Sequence, residues 1–129
     1  MLKPANRLKK VRDFNLLFKN GRFVAGSFFD AKYIDLSKNT KHFPKNESVE
    51  SFIKQLKIGF SIGLKISKVA VKRNRLKRQA REVVRLLLKE DKIKNGYYIL
   101  FIAKKGSLEK DHAQISQEIE LLLNKMKVL

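Results

Sequence analysis

Apolar residues recur along this chain with two different periods, and the alternation of those periods predicts the order of its elements. Phe14, Leu17 and Phe18 fall at three- and four-residue steps, which predicts a first helix over Asp13 to Lys19 stopped by Gly21. From Phe23 to Leu36 aromatic and β-branched residues alternate in part, reading as two short strands broken near Gly26 and Ser27. Leu56, Ile58, Phe60, Ile62 and Leu64 then alternate with Lys57, Gly59, Ser61 and Gly63, the mark of a strand buried on one face with small residues on its open face. A long helix is predicted from near Val69 to Glu90, because Leu76, Ala80, Val83, Val84, Leu87 and Leu88 share one side. Tyr97 to Ala103 is apolar on both sides, as a central strand should be. Ile115, Ile119, Leu122, Leu123 and Met126 form the stripe of a last helix, with Asp111 and Gln114 placed as an N-terminal capping pair.

The expected order is therefore α-β-β-β-α-β-α, an α+β fold in one domain over residues 1–129, without internal repeat or linker. Two segments lack a period. Residues 1–10 are polar and basic and contain Pro4, which reads as a mobile arm; residues 37–55 are polar, carry Pro44 and read as a variable loop.

Charge changes this picture more than composition does. Lys and Arg number 30 against 12 Asp and Glu, a formal charge of +18 on 129 residues. Self-repulsion of that size opposes compaction, so it points to an anionic partner. The 43% of hydrophobic residues are enough for a core, and the absence of cysteine excludes disulfide and cysteine–zinc designs and suits a reducing compartment. The basic N-terminus has no apolar stretch of a signal peptide, and the run Tyr97 to Ala103 is too short to span a bilayer. A cytoplasmic protein with no membrane partner is expected.

The charge is concentrated. Lys65 to Arg85 reads KISKVAVKRNRLKRQAREVVR, nine cations against the single acid Glu82. Arg73, Lys77 and Arg81 recur every four residues on a helix face other than the apolar one, with Arg78 and Arg85 beside them. Arginine presents a planar fork of donors that matches phosphate and stacks on bases, and Asn74 adds an amide able to read sugar or base edges. A solvated charged face would not need this imbalance. The pattern suits a folded RNA. A basic-zipper mode on DNA would need leucine heptads beyond Leu88, where the chain instead reads KEDKIKNG, and flanking strands disfavour a helix–turn–helix.

Catalytic signals are weak. The acids are scattered, apart from the adjacent Glu90 and Asp91; the histidines His42 and His112 stand alone, and there is no glycine-rich phosphate loop or nucleophile elbow. Taken by themselves, Phe14 and Phe18 read as core residues.

The block KRNRLKRQARE, preceded by IGFSIGLKISKVAV, resembles the protein subunit of bacterial ribonuclease P, as do RLKKVRDFNLLFKNG upstream and GYYILFIAKKG downstream. The resemblance implies a four-stranded sheet with a left-handed βαβ crossover, like that of some ribosomal proteins. It implies an RNA-binding subunit: the RNA partner performs the Mg²⁺-dependent removal of the 5′ leader of precursor tRNA, while the protein supplies no catalytic residue and holds no metal alone. Arg73, Asn74, Arg75, Lys77, Arg78 and Arg81 would face the catalytic RNA, together with Lys72 and with Lys65 and Lys68 of the basic crossover. Phe14 and Phe18 would line a cleft for the single-stranded leader. On the opposite wall Asp30 and Lys32 stand where the family often has an apolar or aromatic pair, and Asp30 would repel phosphate there. The other reading, of a different class, is a ribosomal or ribosome-assembly protein; an independent nuclease lacks the acids it would need.

Overall fold

The computed structural model describes residues 6–38, 50 and 53–128. Helix α1 (Val11–Asn20) leads into strands β1 (Arg22–Val24), β2 (Phe29–Asp35) and β3 (Leu56–Ser61), followed by helix α2 (Ala70–Lys89), strand β4 (Tyr97–Ala103) and helix α3 (His112–Met126). This is the α-β-β-β-α-β-α order that the periodicities predict. The four strands form one mixed sheet in the order β1-β2-β4-β3, antiparallel except for the parallel pair β3 and β4. Helix α2 makes the crossover between those two parallel strands.

Alternation along the strands sends side chains to two unlike layers. One face carries Phe29 and Ala31 of β2, Leu56 and Ile58 of β3, and Ile99, Phe101 and Ala103 of β4. It is closed by the apolar stripes of α2 (Leu76, Ala80, Val83, Val84, Leu87) and α3 (Ile115, Ile119, Leu122, Leu123, Met126). Central strand β4 feeds both layers, which is why its sequence shows no alternation. The opposite face has a smaller cluster, in which Ile34, Tyr98 and Leu100 of the sheet meet Leu8, Leu17 of α1 and Leu36.

Helix α3 starts with the capping box expected from Asp111 and Gln114: each side chain accepts from the other residue's backbone N–H, at 2.9 Å and 3.1 Å. It also ties down the turn between β1 and β2. The buried Glu118 carboxylate accepts the backbone N–H groups of Phe28 at 2.6 Å and Phe29 at 3.1 Å, two donors that would otherwise be orphaned in the core.

Three sequence expectations need correction. The mobile arm is packed over its described part: Asn6 Nδ2 donates to the Leu56 carbonyl at 2.8 Å, Arg7 bridges to Ile58 as a parallel extension of β3, and Leu8 is buried. The free edge of β3 explains this, because it leaves backbone groups that the arm satisfies. The expected open face of β3 is covered in consequence. A Cβ on Gly59 would meet the Cβ of Leu8 at 3.2 Å, so glycine is what admits the arm, and Lys57 is tied to the buried Asp13 of α1 at 2.9 Å. Finally, the β3 alternation outlasts its strand, which ends at Ser61; a turn closed by Ile66 N–H on the Gly63 carbonyl leaves Leu64 exposed. Of the loop expected at 37–55, Ile53 packs against the smaller cluster and Gln55 accepts the Tyr98 hydroxyl at 2.6 Å; positions 39–49, 51 and 52, with His42, lie outside the described residues.

Candidate nucleic-acid interface

Helix α2 begins without a side-chain cap and without an acid in its first turn, yet Lys72 and Arg73 lie there. Cations at a helix N-terminus oppose the helix dipole, so this placement does not serve the helix. It adds positive side chains where the helix dipole is already positive, an arrangement that favours an anion.

At about 100° per residue the cations leave the apolar stripe on both flanks. Arg73, Lys77 and Arg81 follow one flank. The Arg73 guanidinium donates to the Ser67 carbonyl at 2.7 Å, bracing the crossover loop in which Lys65 and Lys68 are exposed. Arg81 is half-buried, and both this burial and the nearby charge of Arg7 push its guanidinium below the usual arginine range. The arm therefore extends the basic surface past the edge of β3. Asn74 and Arg78 occupy the outer side and are exposed. Arg75 and Lys72 turn to the other flank, where with Gln79 and Glu109 they line a cavity of about 340 Å³. The block is thus not one face: Arg75 is separated from Arg73, Lys77 and Arg81. Arg85, beyond the block, is held by the single acid of the stretch, Glu82, at 2.6 Å.

On the smaller-cluster face, α1 presents two aromatic rings beside the middle of the sheet. The rings of Phe14 and Phe18 stack with centroids 6.3 Å apart and 23° between planes, and Phe18 is 52% exposed. Lys32, from the middle of β2, places its ammonium 5.3 Å from the Phe18 centroid and donates to the Phe18 carbonyl at 3.3 Å. The two rings and Lys32 are therefore brought together. The repulsion expected of Asp30 is answered locally: its carboxylate pairs with Lys104 at 3.3 Å and accepts the Gly26 N–H at 3.1 Å.

Two residues of this surface escape a reading of the sequence. Phe23 is 59% exposed and sits directly across from Lys32 in the β1–β2 register, so it adds a third aromatic ring to the Lys32 side of the sheet. Arg7 falls within the stretch that reads as a mobile arm. The signal for Phe23 is strand alternation; the signal for Arg7 is its neighbour Leu8, a lone apolar residue in a basic run. Among the described residues no group of three or more His, Asp or Glu could hold a metal ion, and no helix is long and apolar enough to cross a membrane.

The family profile of ribonuclease P matches residues 2–127. The chain belongs to the ribonuclease P protein family. It is 33% identical over 129 residues to the ribonuclease P protein component of a Synechococcus species, covering 100% of this chain and 87% of that protein. The ribonuclease P protein component of Symbiobacterium thermophilum is 33% identical, with 99% and 96% covered. Its fold is that of the Staphylococcus aureus RNase P protein (TM-score 0.74, 27% identity, 96% and 97% covered) and of the Thermotoga maritima RNase P protein (TM-score 0.67, 26% identity, 93% and 96% covered). A ribonuclease P protein works as a subunit of the tRNA-processing ribonuclease, in partnership with its RNA. The ribosomal alternative falls with this membership.

Proposed function

We propose that this subunit docks on the catalytic RNA through α2 and the crossover loop, and holds the single-stranded 5′ leader of precursor tRNA in the cleft beside Phe14 and Phe18. The RNA supplies the reaction centre and its Mg²⁺, in the cytoplasm. The observation that carries this reading is the stacked Phe14–Phe18 pair, half-buried at Phe14 and exposed at Phe18, with Lys32 against it. Exposed rings beside cations grip single strands with little sequence preference, at about 1–3 kcal/mol per stacked base.

The protein's contribution to the reaction is electrostatic and positional. Cations between two polyanions lower their repulsion, a task that would otherwise fall to more Mg²⁺. Holding the leader fixes the scissile bond relative to the RNA site and spends no group of the protein on the chemistry. A Mg²⁺ titration of precursor tRNA cleavage by the RNA subunit, with and without protein, tests this. Activity is expected to move to lower Mg²⁺ with protein, and less so with Lys77→Ala or Arg81→Ala. Cleavage by the protein without RNA would overturn the reading.

A further inference from the structure

A cavity of about 660 Å³ opens at the end of the sheet where β2 finishes and β4 begins. The basic helix starts beyond the finishing end of β3, whose last residue Ser61 lies beside Ile102 near the end of β4. Strand β4 is seven residues long, so the two ends are roughly 20 Å apart. No residue of α2 lines the cavity; Asn20 ends α1 at its rim, and Tyr33 and Tyr97 lie on the larger-cluster face of the sheet, opposite the face that carries Phe18 and Lys32.

Its floor is aromatic. Tyr33 and Tyr97 come from neighbouring strands, with ring centroids 6.5 Å apart and 45° between planes, and both are half-buried. Its walls are charged. Arg22 stands directly across from Tyr33 in the β1–β2 register, while Lys125 enters from the last turn of α3, Lys127 from the residue that ends that helix and Lys38 from the segment after β2. The Lys125 ammonium also donates to the Ala25 carbonyl at 3.2 Å, which fixes its position near the β1–β2 turn. Among the described residues of the lining, one carboxylate lies with these cations. Asp35 stands across from Tyr97, and its Oδ1 accepts from the Ser37 N–H at 3.1 Å and hydroxyl at 2.7 Å.

A site for a bare anion has no use for two ring faces or for a carboxylate. A planar ring with donor groups, attached to a phosphate, uses all three. Pockets of about 300–1,000 Å³ accept ligands of this size. We propose that this cavity binds one nucleotide, its base against Tyr33 and Tyr97, its phosphate to Arg22 and Lys127, and its amino or hydroxyl donors to Asp35. The source expected is a residue of an RNA strand, which rests on the ribonuclease P reading; a free nucleotide offers the same chemistry.

Aromatic NMR spectra of the full chain test this, because one spectrum reports both surfaces. Titration with AMP is expected to shift the ring signals of Tyr33 and Tyr97 and to leave the fully buried Tyr98 as an unmoved reference. Inorganic phosphate is expected to leave the tyrosine rings in place. Arg22→Gln and Lys127→Gln should each weaken AMP binding about fivefold, and Phe18→Leu should not weaken it. Tighter binding of ApApA than of AMP supports the pocket with an RNA strand as its source, and equal binding supports it with a free nucleotide. The proposal is overturned if AMP moves Phe18 and Phe23 but neither Tyr33 nor Tyr97, or if phosphate alone reproduces the AMP shifts. The Mg²⁺ titration of leader removal does not depend on either result.

Discussion

The two faces of the sheet carry similar strands and end in different uses. One face is shut by two helices, and its central ring, Phe101, is fully buried with its plane 17° from that of Phe60 and centroids 5.5 Å apart. Among the described residues the other is covered by one ten-residue helix, a short arm and the side chains of Leu36 and Ile53, and Phe18 and Phe23 stay more than half exposed. Both faces are rich in phenylalanine, so residue type does not distinguish core from binding surface. What distinguishes them, among the described residues, is how much covering chain the topology supplies: α2 and α3 on one side, and α1 with residues 6–10, Leu36 and Ile53 on the other. A sheet face that is short of cover can offer rings to a ligand without giving up the core behind it.

The largest effect that tests this division is on the closed face. Phe101→Ala should cost about 3–5 kcal/mol through the lost transfer energy and the cavity left behind, lowering Tm by roughly 10–20 °C. RNA affinity per folded molecule should hardly change. Weaker RNA binding at an unchanged Tm would mean that the closed face is also a binding surface.

On the open face the order of effects should invert. Phe18→Leu keeps apolar bulk but removes the stacking plane, so affinity for leader-bearing precursor tRNA should fall by about 1–3 kcal/mol, while mature tRNA binding and Tm stay near wild type. Gel-shift titrations of the two RNAs with the assembled enzyme measure this. Equal losses for both RNAs, or a drop in Tm like that of Phe101→Ala, would return Phe18 to the core.

Arg78 sharpens the comparison within one helix, because it is exposed on the side away from Val84, which is fully buried. Arg78→Ala should leave Tm unchanged and weaken binding to the catalytic RNA. It should also reduce the slope of log affinity against log salt by about one unit for each phosphate that the arginine neutralises. An unchanged slope would remove Arg78 from the docking surface.

The elements and the closed core were legible in the sequence because each helix stripe and strand alternation reports a local partner choice. The basic block was legible as charge on a helix, but its division was not. Whether Arg75 sides with Arg73 depends on where Ser67 and Glu109 lie, and those come from other segments. The same limit hid the arm. Nothing local to Arg7 and Leu8 shows that Gly59, about fifty residues on, leaves room for them. Asp30 looked like a fault in the cleft for a related reason, since its partner Lys104 is distant in sequence and adjacent only across the sheet. Long-range pairing decides the fine structure of a site, and periodicity does not carry it.

The smallest effect concerns the tyrosines at the far end of the sheet. Burial first, and then the neighbouring Asp35 carboxylate and Tyr33, push the Tyr97 phenol above its ordinary value. All three disfavour the phenolate. In the unfolded chain the phenol ionises near pH 10, below its folded value. The contribution of Tyr97 to stability is therefore fully present below about pH 10 and is lost as pH rises from there through the folded value. Tyr97→Phe removes the ionisable group, so its stability should fall less steeply with pH than that of wild type above about pH 10. Urea unfolding at a series of alkaline pH values measures the difference. The charged residues around the same cavity are common to both proteins, and the comparison cancels them. Identical slopes for Tyr97→Phe and wild type would show that the phenol is as well solvated in the folded protein as in the unfolded chain. The aromatic floor would then be more open to water than its packing between Tyr33 and Asp35 implies.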